Sequence, residues 1–587
     1  MRDKVVKSCG VLEDQPDQEA FLKSVENELI QLEKKENEEI TFRIRKEDNY
    51  NNSPINKDYY YGHNLLEIVL DTLKIKKVID DYQDSLNLNV KYRFWDIIQF
   101  FTFERILDPD SKRASYQHLN NYFGKKYTFS LSDVYRCFTY LPDIFDLVQK
   151  TMSKSIGEIF PRNGSFVFYD GTNYFTTIDF NDLAEGALRK KGVSKEHRLD
   201  PIVGVAVFLD CNGLPLDIEI YPGNESESGK LIGGVGRIKK ANNMKRVIAV
   251  ADKGLNNSSN IFHLYNQGDG FIFSQILRGK KGNNYLPYIE KSSGWAEKKN
   301  EKGEVYYKEK DVIHTIQRLY KNDNGEYIKE EMDVKALLYW NLEDQQMARQ
   351  KRNEKIAKLK KGIANRTIEM GRDAREYAKR VAIDPTTKKK LDKTDIQYEV
   401  DYEKIEREEK LDGYTCIITS ELEMENTKIR EAYHGLLEVE ATFRISKTDL
   451  EFRPIYHYKK ESIISHFMIC YIAITVLRLL QYQLKLSGVD MSVERLQRFL
   501  KRMTLKELEE GKILLNQIGG ALKYKNKLDE EKDTVLSNED EILDDAKRVF
   551  EAYKIDFLDK IGINIGDFKT YIKELKKFKL GVETWNI

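Results

Sequence analysis

Apolar residues recur at helical spacing in two stretches before residue 160, FWDIIQFFTFERIL (94–107) and VYRCFTYLPDIFDLVQKTM (134–152), with Pro109 and Pro142 marking breaks or starts. A further apolar helix is expected near Leu65 to Ile75, after the turn-rich INKDYYYGH, and a charged, helix-prone segment runs from about Leu22 to Asp48. Residues 1–160 therefore read as a helical N-terminal domain. At Ser165 the period shortens. SFVFYD (165–170) is a β-branched and aromatic run ending in an acid, and PIVGVAVFLD (201–210) and LPLDIEIY (214–221) flank Cys211-Asn212-Gly213, a strong hairpin signal. KRVIAVAD (245–252) is a second strand ending in an acid. A helix is expected through Ile261 to Tyr265, then a strand over GFIFSQIL (270–277). Strand, hairpin, strand, helix, strand describes a mixed α/β sheet with one antiparallel part.

Between about Arg278 and Lys410 this rhythm lapses. The first part alternates as strands around Gly-containing turns. The second, roughly Gln345 to Lys393, reads as helix-rich and basic in MARQKRNEKIAKLKKG and GRDAREYAKRVAI, with about 16 Lys and Arg against about 6 Asp and Glu from Arg349 to Lys393. Such a run suits a polyanion, and it equally suits a solvated helix pair. GYTCIITS (413–420) restores a strand, and a charged helix follows. The chain divides into residues 1–160, an α/β core in two parts (161–277 and 411–487), an insertion (278–410) and a helical C-terminal region (488–587).

Composition narrows the function classes. A chain of 587 residues with 41% hydrophobic positions and no net charge can build large cores, and it meets a polyanion only through local basic patches. Lys112, Arg113, Tyr116, Lys125, Lys126 and Tyr127 form one such candidate patch, or an ordinary solvated surface. The five cysteines lie far apart with no C-x-x-C pair, which fits a reducing cytoplasm rather than a disulfide framework or a zinc site. MRDKVVKSCGVLEDQPDQ is too acidic for a signal peptide. FMICYIAITVLRLL (467–480) is short and carries Arg478, as expected of a buried helix and not of a membrane span.

Asp170 and Asp252 each end an expected strand, where catalytic groups of α/β sheets gather, although either could simply serve the turn that follows. Two neighbouring acids can share Mg²⁺, and such sites usually need a third. Residues 433–457, YHGLLEVEATFRISKTDLEFRPIYH, offer Glu438, Glu440, Asp449 and Glu451. At about 100° per residue, Tyr433, Glu440 and Lys447 fall within about 20° of one line, Arg444 about 40° from Glu440, and Glu438 about 160° away. Asp449 lies off that line, and Pro454 suggests that the helix has ended before Glu451. Glu440 is thus the candidate, flanked by Tyr433, Arg444 and Lys447; an amphipathic helix with exposed charges would show the same spacing.

FYDGTNYF, IAVADKG and the series Tyr433-x2-Leu436-x3-Glu440-x6-Lys447, together with GVAVFLDCNGLPLDIEIYPGN and FRISKTDLEFRPIYHYKKESIISHF, resemble the bacterial insertion-sequence DDE transposases with the YREK signature, insertion-sequence family four. The resemblance runs from about Gly164 to Leu480. It implies an RNase H-like mixed sheet interrupted by a large β-rich and helical insertion, with Asp170, Asp252 and Glu440 as catalytic carboxylates holding two Mg²⁺ ions, or Mn²⁺ in substitution. Tyr433 and Lys447 match signature positions that contact DNA. The signature Arg is Leu436 here, and Arg444 or Arg453 is the candidate to supply that phosphate contact. The implied activity is cutting and joining of double-stranded DNA at terminal inverted repeats, through a freed 3′-OH and hairpin ends. The implied assembly is a synaptic homodimer in the bacterial cytoplasm at the nucleoid, with helices after Val489, VERLQRFLKRM and DAKRVFEAYKIDFL, as partner-contact or core elements. The N-terminal helices would recognise the repeats. Three rival readings stand beside this one: an RNase H-like nuclease without strand transfer, an inactive DNA-binding derivative, and a two-metal phosphatase.

Overall fold

The computed structural model of the protein describes residues 20–27, 57–160, 166–177, 182, 184, 186–196, 198–279, 282, 284–321, 324–364, 374–381, 397–507, 511–515, 548–549 and 563–581. Most of the charged segment 22–48, part of the basic stretch after residue 364 and most of DAKRVFEAYKIDFL lie outside them. Residues 1–57 and 58–587 are two compact units. The first is described as helical over 20–27.

The second unit opens with β1 (Asp58–Tyr60) and a helical region whose longer helices are α1 (His63–Thr72), α2 (Ile75–Ser85), α3 (Phe94–Leu107), α4 (Leu131–Cys137) and α5 (Phe145–Ile159), with a further helical turn at Lys112–Ser115. α3 is buried nearly all round, from Phe94 to Leu107, with few polar positions to give it a wet face. β2 (Phe166–Phe175), β3 (Ile202–Leu209) and β4 (Pro215–Pro222) form an antiparallel meander, with Gly213 at φ 73° in the expected hairpin turn. α6 (Lys230–Asn242), β5 (Ile248–Ala251), α7 (Ser258–Asn266) and β6 (Gly270–Gln275) follow, and β5 pairs in parallel with both β2 and β6.

β7 (Ala296–Lys299), the long β8 (Val305–Lys321) and β9 (Tyr327–Asn341), then α8 (Leu342–Ala364), β10 (Ala378–Val381), β11 (Gln397–Val400) and α9 (Tyr402–Glu409), occupy the expected insertion. Its strands join the core sheet: β12 (Tyr414–Thr419) lies between β6 and β9, which gives a nine-stranded mixed sheet in the order β4-β3-β2-β5-β6-β12-β9-β8-β7. α10 (Asn426–His434), α11 (Leu436–Thr448), α12 (Lys460–Leu486) and α13 (Val493–Arg502) complete one helical layer. The end of the chain supplies β13 (Thr504–Glu507), β14 (Lys512–Leu515), β15 (Ile563–Asn564) and α14 (Ile565–Leu575).

Alternate residues of the sheet enter two cores. Phe168, Val205, Val250 and Ile272 pack with α11, α12 and the helices of residues 63–159, whereas Tyr169, Phe208, Ala249 and Phe273 pack with α6 and α7. α12 is long and apolar enough to cross a membrane, but 94% of its most apolar window is buried inside the protein.

Several expectations are corrected. β2 does not end at Asp170; it runs on to Phe175, because Gly171 lies in the ladder opposite Ala206 and its missing side chain admits Glu227. α6 was hidden by its glycines. Ala378 to Val381, expected as helix, is a strand held antiparallel to Gln397–Val400. The C-terminal region is not wholly helical: β13, β14 and β15 form a four-stranded sheet with β1, with Leu505 and Ile513 buried. The helix drawn from Tyr433 to Lys447 is two helices, α10 and α11, meeting at Gly435.

Candidate active site

Asp170 shares a face of β2 with Phe168, Thr172 and Tyr174. Two anchors lay α11 along that face. At its start Gly435 rests on Phe168, where an added Cβ would stand 2.4 Å from the ring; near its end Ser446 Oγ and Tyr174 Oη are 2.6 Å apart. Helix and strand run the same way, about 16 Å of one over about 20 Å of the other. The middle of α11 therefore stands level with Asp170 and Thr172. Val439, Thr442 and Phe443 turn inward, and Glu440 is exposed on the flank it shares with Lys447.

Register brings the second acid alongside. Tyr169 is paired with Ala251 across the parallel β2–β5 ladder, so the next residues, Asp170 and Asp252, stand at the same height on strands about 4.8 Å apart. Tyr433, on α10, donates its hydroxyl to Asp252 Oδ1 at 3.3 Å. Burial pushes that phenol up to about 12, with Asp252 adding to the shift.

Asp170 accepts the Gly171 amide at 2.7 Å and faces Lys195 Nζ at 3.6 Å. Burial first, and then the Glu227 and Asp252 carboxylates, push Asp170 up to about 6 against the pull of Lys195. Lys195 also pairs with Glu227 at 3.2 Å and donates to the Gly171 carbonyl. Next to it in sequence, Glu196 joins two of the expected DNA contacts: it pairs with Lys447 at 3.6 Å and with Arg453 in closer contact. Burial and Lys195 push the Lys447 ammonium down, while Asp170 opposes the shift. Lys447 and Arg453 are thus gathered on the Asp170 side.

The other charges of α11 go elsewhere. Arg444 turns to α13, 3.8 Å from Glu494, and is not drawn to the acidic group. Glu438 meets the buried Arg478 of α12 at 3.1 Å, and Arg478 also donates to the Glu438 carbonyl and to Thr442 Oγ1. Leu436, in the signature Arg position, is buried. Glu451 lies beyond the end of α11, as expected, and Asp449 stands at its C-cap.

The hard oxygen donors of Asp170, Asp252 and Glu440 suit Mg²⁺. In this arrangement Lys195 stands against Asp170 as its counter-cation, and among the described residues no three His, Cys, Asp or Glu side chains converge closely enough to hold a metal. Sequence reasoning missed Lys195, Glu196 and Glu227 because the first two lie in a loop and the third in a single 3-10 turn, too short for a periodic pattern. Their one signal is a pair of glycines: Gly192 and Gly223 let these loops cross, and a Cβ on Gly192 would fall 2.0 Å from the Gly223 carbonyl oxygen.

No family model matches the chain, and no curated protein matches it. Among solved structures, it is similar to a piggyBac transposase synaptic complex with hairpin DNA, seen by cryo-EM, at 7% identity and a TM-score of 0.36 over 76% of this chain and 80% of that one. That score is below the level at which two chains share a fold.

Proposed function

We propose that the protein is a Mg²⁺-dependent DNA-cutting and strand-joining enzyme, the transposase of a bacterial insertion sequence, with Asp170, Asp252 and Glu440 as its catalytic carboxylates. The observation that carries this reading is the β2–β5 register, which sets Asp170 beside Asp252 under the helix bearing Glu440. A sheet that is antiparallel through β4-β3-β2 and parallel through β5 and β6 supports an RNase H-like core.

Asp170, Asp252 and Glu440 would hold Mg²⁺, or Mn²⁺ in substitution, once drawn together around it, and the ion would supply charge stabilisation to the phosphoryl oxygens. The chain's own groups do the rest. Lys195, Lys447 and Arg453 offer cations to the strand phosphates, and Tyr433 orients Asp252. Attack of water on a phosphodiester at a terminal inverted repeat frees a 3′-OH, which then attacks the opposite strand, giving a hairpin end, or target DNA. Joining two ends requires a pair of chains on double-stranded DNA, in the bacterial cytoplasm.

The test uses duplexes copied from the flanks of the coding region. Asp170→Asn, Asp252→Asn and Glu440→Gln are each expected to lower Mg²⁺-dependent cleavage on the order of 1,000-fold and leave DNA binding intact. Cleavage that survives Glu440→Gln but not Glu438→Gln would overturn the assignment. Cleavage without joining of pre-cut ends would identify a nuclease instead.

A further inference from the structure

A cavity of about 450 Å³ lies between α3, the turn at Ser111 to Ser115, and the chain from Glu451 to His466. Two cations are buried in its wall: Lys112 and Arg105 are each 5% exposed. The Arg105 guanidinium meets only backbone, donating to the carbonyls of Leu450 at 3.2 Å, Glu451 at 3.0 Å and Asp110 at 3.3 Å, and its buried Nε has no acceptor. Lys112 Nζ stands 5.0 Å over the Phe101 ring. Among the described residues neither forms an ion pair.

The buried Glu104 pulls Lys112 back up but is bonded to His118 and Tyr122, and the other neighbouring groups do not compensate. His466 is buried and bonded to the Phe452 carbonyl at 3.1 Å, with the half-buried His457 ring 5.6 Å away. Burial, followed by Lys112 and Arg105, holds both imidazoles neutral. The two lining carboxylates, Asp110 and Glu451, are exposed at the rim, and Asp110 already accepts the Ser111 amide. Burying like charges together without a counter-ion is costly, and burial and Arg105 push Lys112 well down from its ordinary value.

We propose that this cavity is a phosphate-binding pocket, in which a bound phosphate group supplies the counter-ion that Lys112 lacks, with the exposed Arg113 and Lys459 at its mouth. The volume exceeds that of one phosphate and admits the sugar and base attached to it. Arg453 connects the pocket to the candidate active site: it lines the cavity and bonds Glu196, the partner of Lys447. A phosphate of the DNA strand leaving the Asp170 cluster is one source, and free phosphate is the other. The DNA source rests on the function proposed above; the free-phosphate source does not.

The full chain is compared with Lys112→Met, Lys112→Arg and Arg113→Gln. Sodium phosphate is expected to raise the melting temperature of the native chain and of Lys112→Arg, relative to sodium chloride of equal ionic strength, by more than that of Lys112→Met, which keeps only the general stabilisation that phosphate gives any folded chain. On a DNA duplex, Lys112→Met is expected to make the slope of log K against log salt shallower by about 0.9, the loss of one phosphate contact. Arg113→Gln, at an exposed position, reads the same slope if Lys112→Met does not fold. A phosphate response with an unchanged slope assigns free phosphate as the ligand; a changed slope assigns DNA. Equal phosphate responses and equal slopes in the native chain, Lys112→Met and Arg113→Gln would overturn the pocket. A native chain that responds to phosphate but does not bind DNA counts against the proposed function and leaves the pocket standing.

Discussion

Glu438 and Glu440 stand two positions apart on α11 in opposite surroundings. Glu438 neutralises Arg478, whose side chain is 6% exposed, whereas Glu440 is exposed and forms no ion pair among the described residues. Removing the first leaves a buried guanidinium with only neutral acceptors, although the carboxylate itself is half in water. Glu438→Ala is therefore expected to cost about 1–2 kcal/mol in urea melts, while Glu440→Gln should not move the midpoint. A loss of stability in Glu440→Gln equal to that in Glu438→Ala would mean that both glutamates are structural. A pH effect is expected elsewhere, at His118, whose Nδ1 lies 3.0 Å from the buried Glu104; Tyr122 donates to the same carboxylate at 2.6 Å. The bond to Glu104 holds the imidazole above its ordinary value. A raised folded-state value means that the stabilisation is fully present below about pH 6.5, and is lost as pH rises through the folded value. His118→Gln should thus destabilise by about 1 kcal/mol at acid pH, and the difference from the native chain should shrink in alkaline melts. A pH-independent difference would sink this account.

At the scale of elements, α6 isolates what glycine does in this fold. A Cβ on Gly234 would stand 1.9 Å from the Phe208 ring, while one on Gly236 would meet nothing within 4 Å. Gly234→Ala is expected to lose about 1–3 kcal/mol through overpacking, and Gly236→Ala to gain up to about 1 kcal/mol through helix propensity; thermal melts of the two variants should move in opposite directions. The same pair explains why α6 was illegible in the sequence. KLIGGVGRIKK looks like a helix breaker, yet one of its glycines is there for close packing on the sheet. Asp170-Gly171 misled in the same way, reading as a turn when Gly171 makes room for Glu227 inside a strand. What was legible was whatever followed a period: the β3–β4 hairpin, the buried run of β5, the burial of α12, and the separation of Glu438 from Glu440. Counting Tyr433 onto the same helical line crossed a break at Gly435, so its position beside Asp252 depends on the α10–α11 junction and not on spacing alone.

For the whole molecule, α12 is the element through which the N-terminal helices and the sheet become one body. Its apolar side chains share a core with Leu65, Phe100 and Phe138 on one side and with Val205 and Val207 of β3 on the other. Polar contacts cross the same boundary: Ser465 Oγ donates to the Phe138 carbonyl at 2.7 Å, and Gln497 Nε2 to that of Ile106 at 2.8 Å. A chain beginning at Gly164 keeps every strand from β2 to β12 but strips α12 of these helices, exposing an apolar face far larger than a soluble surface carries. That fragment is expected to aggregate or to bind a hydrophobic dye, whereas residues 58–587 should unfold in a single calorimetric transition. Two separate transitions in the long fragment, together with a soluble, dye-silent Gly164 fragment, would mean that the N-terminal helices are an independent domain. The same packing bears on function, because α11 is held from behind by Arg478 of α12. Substitutions that loosen α12 from the N-terminal helices, such as Phe100→Ala, should then weaken DNA cleavage, with no change at any carboxylate.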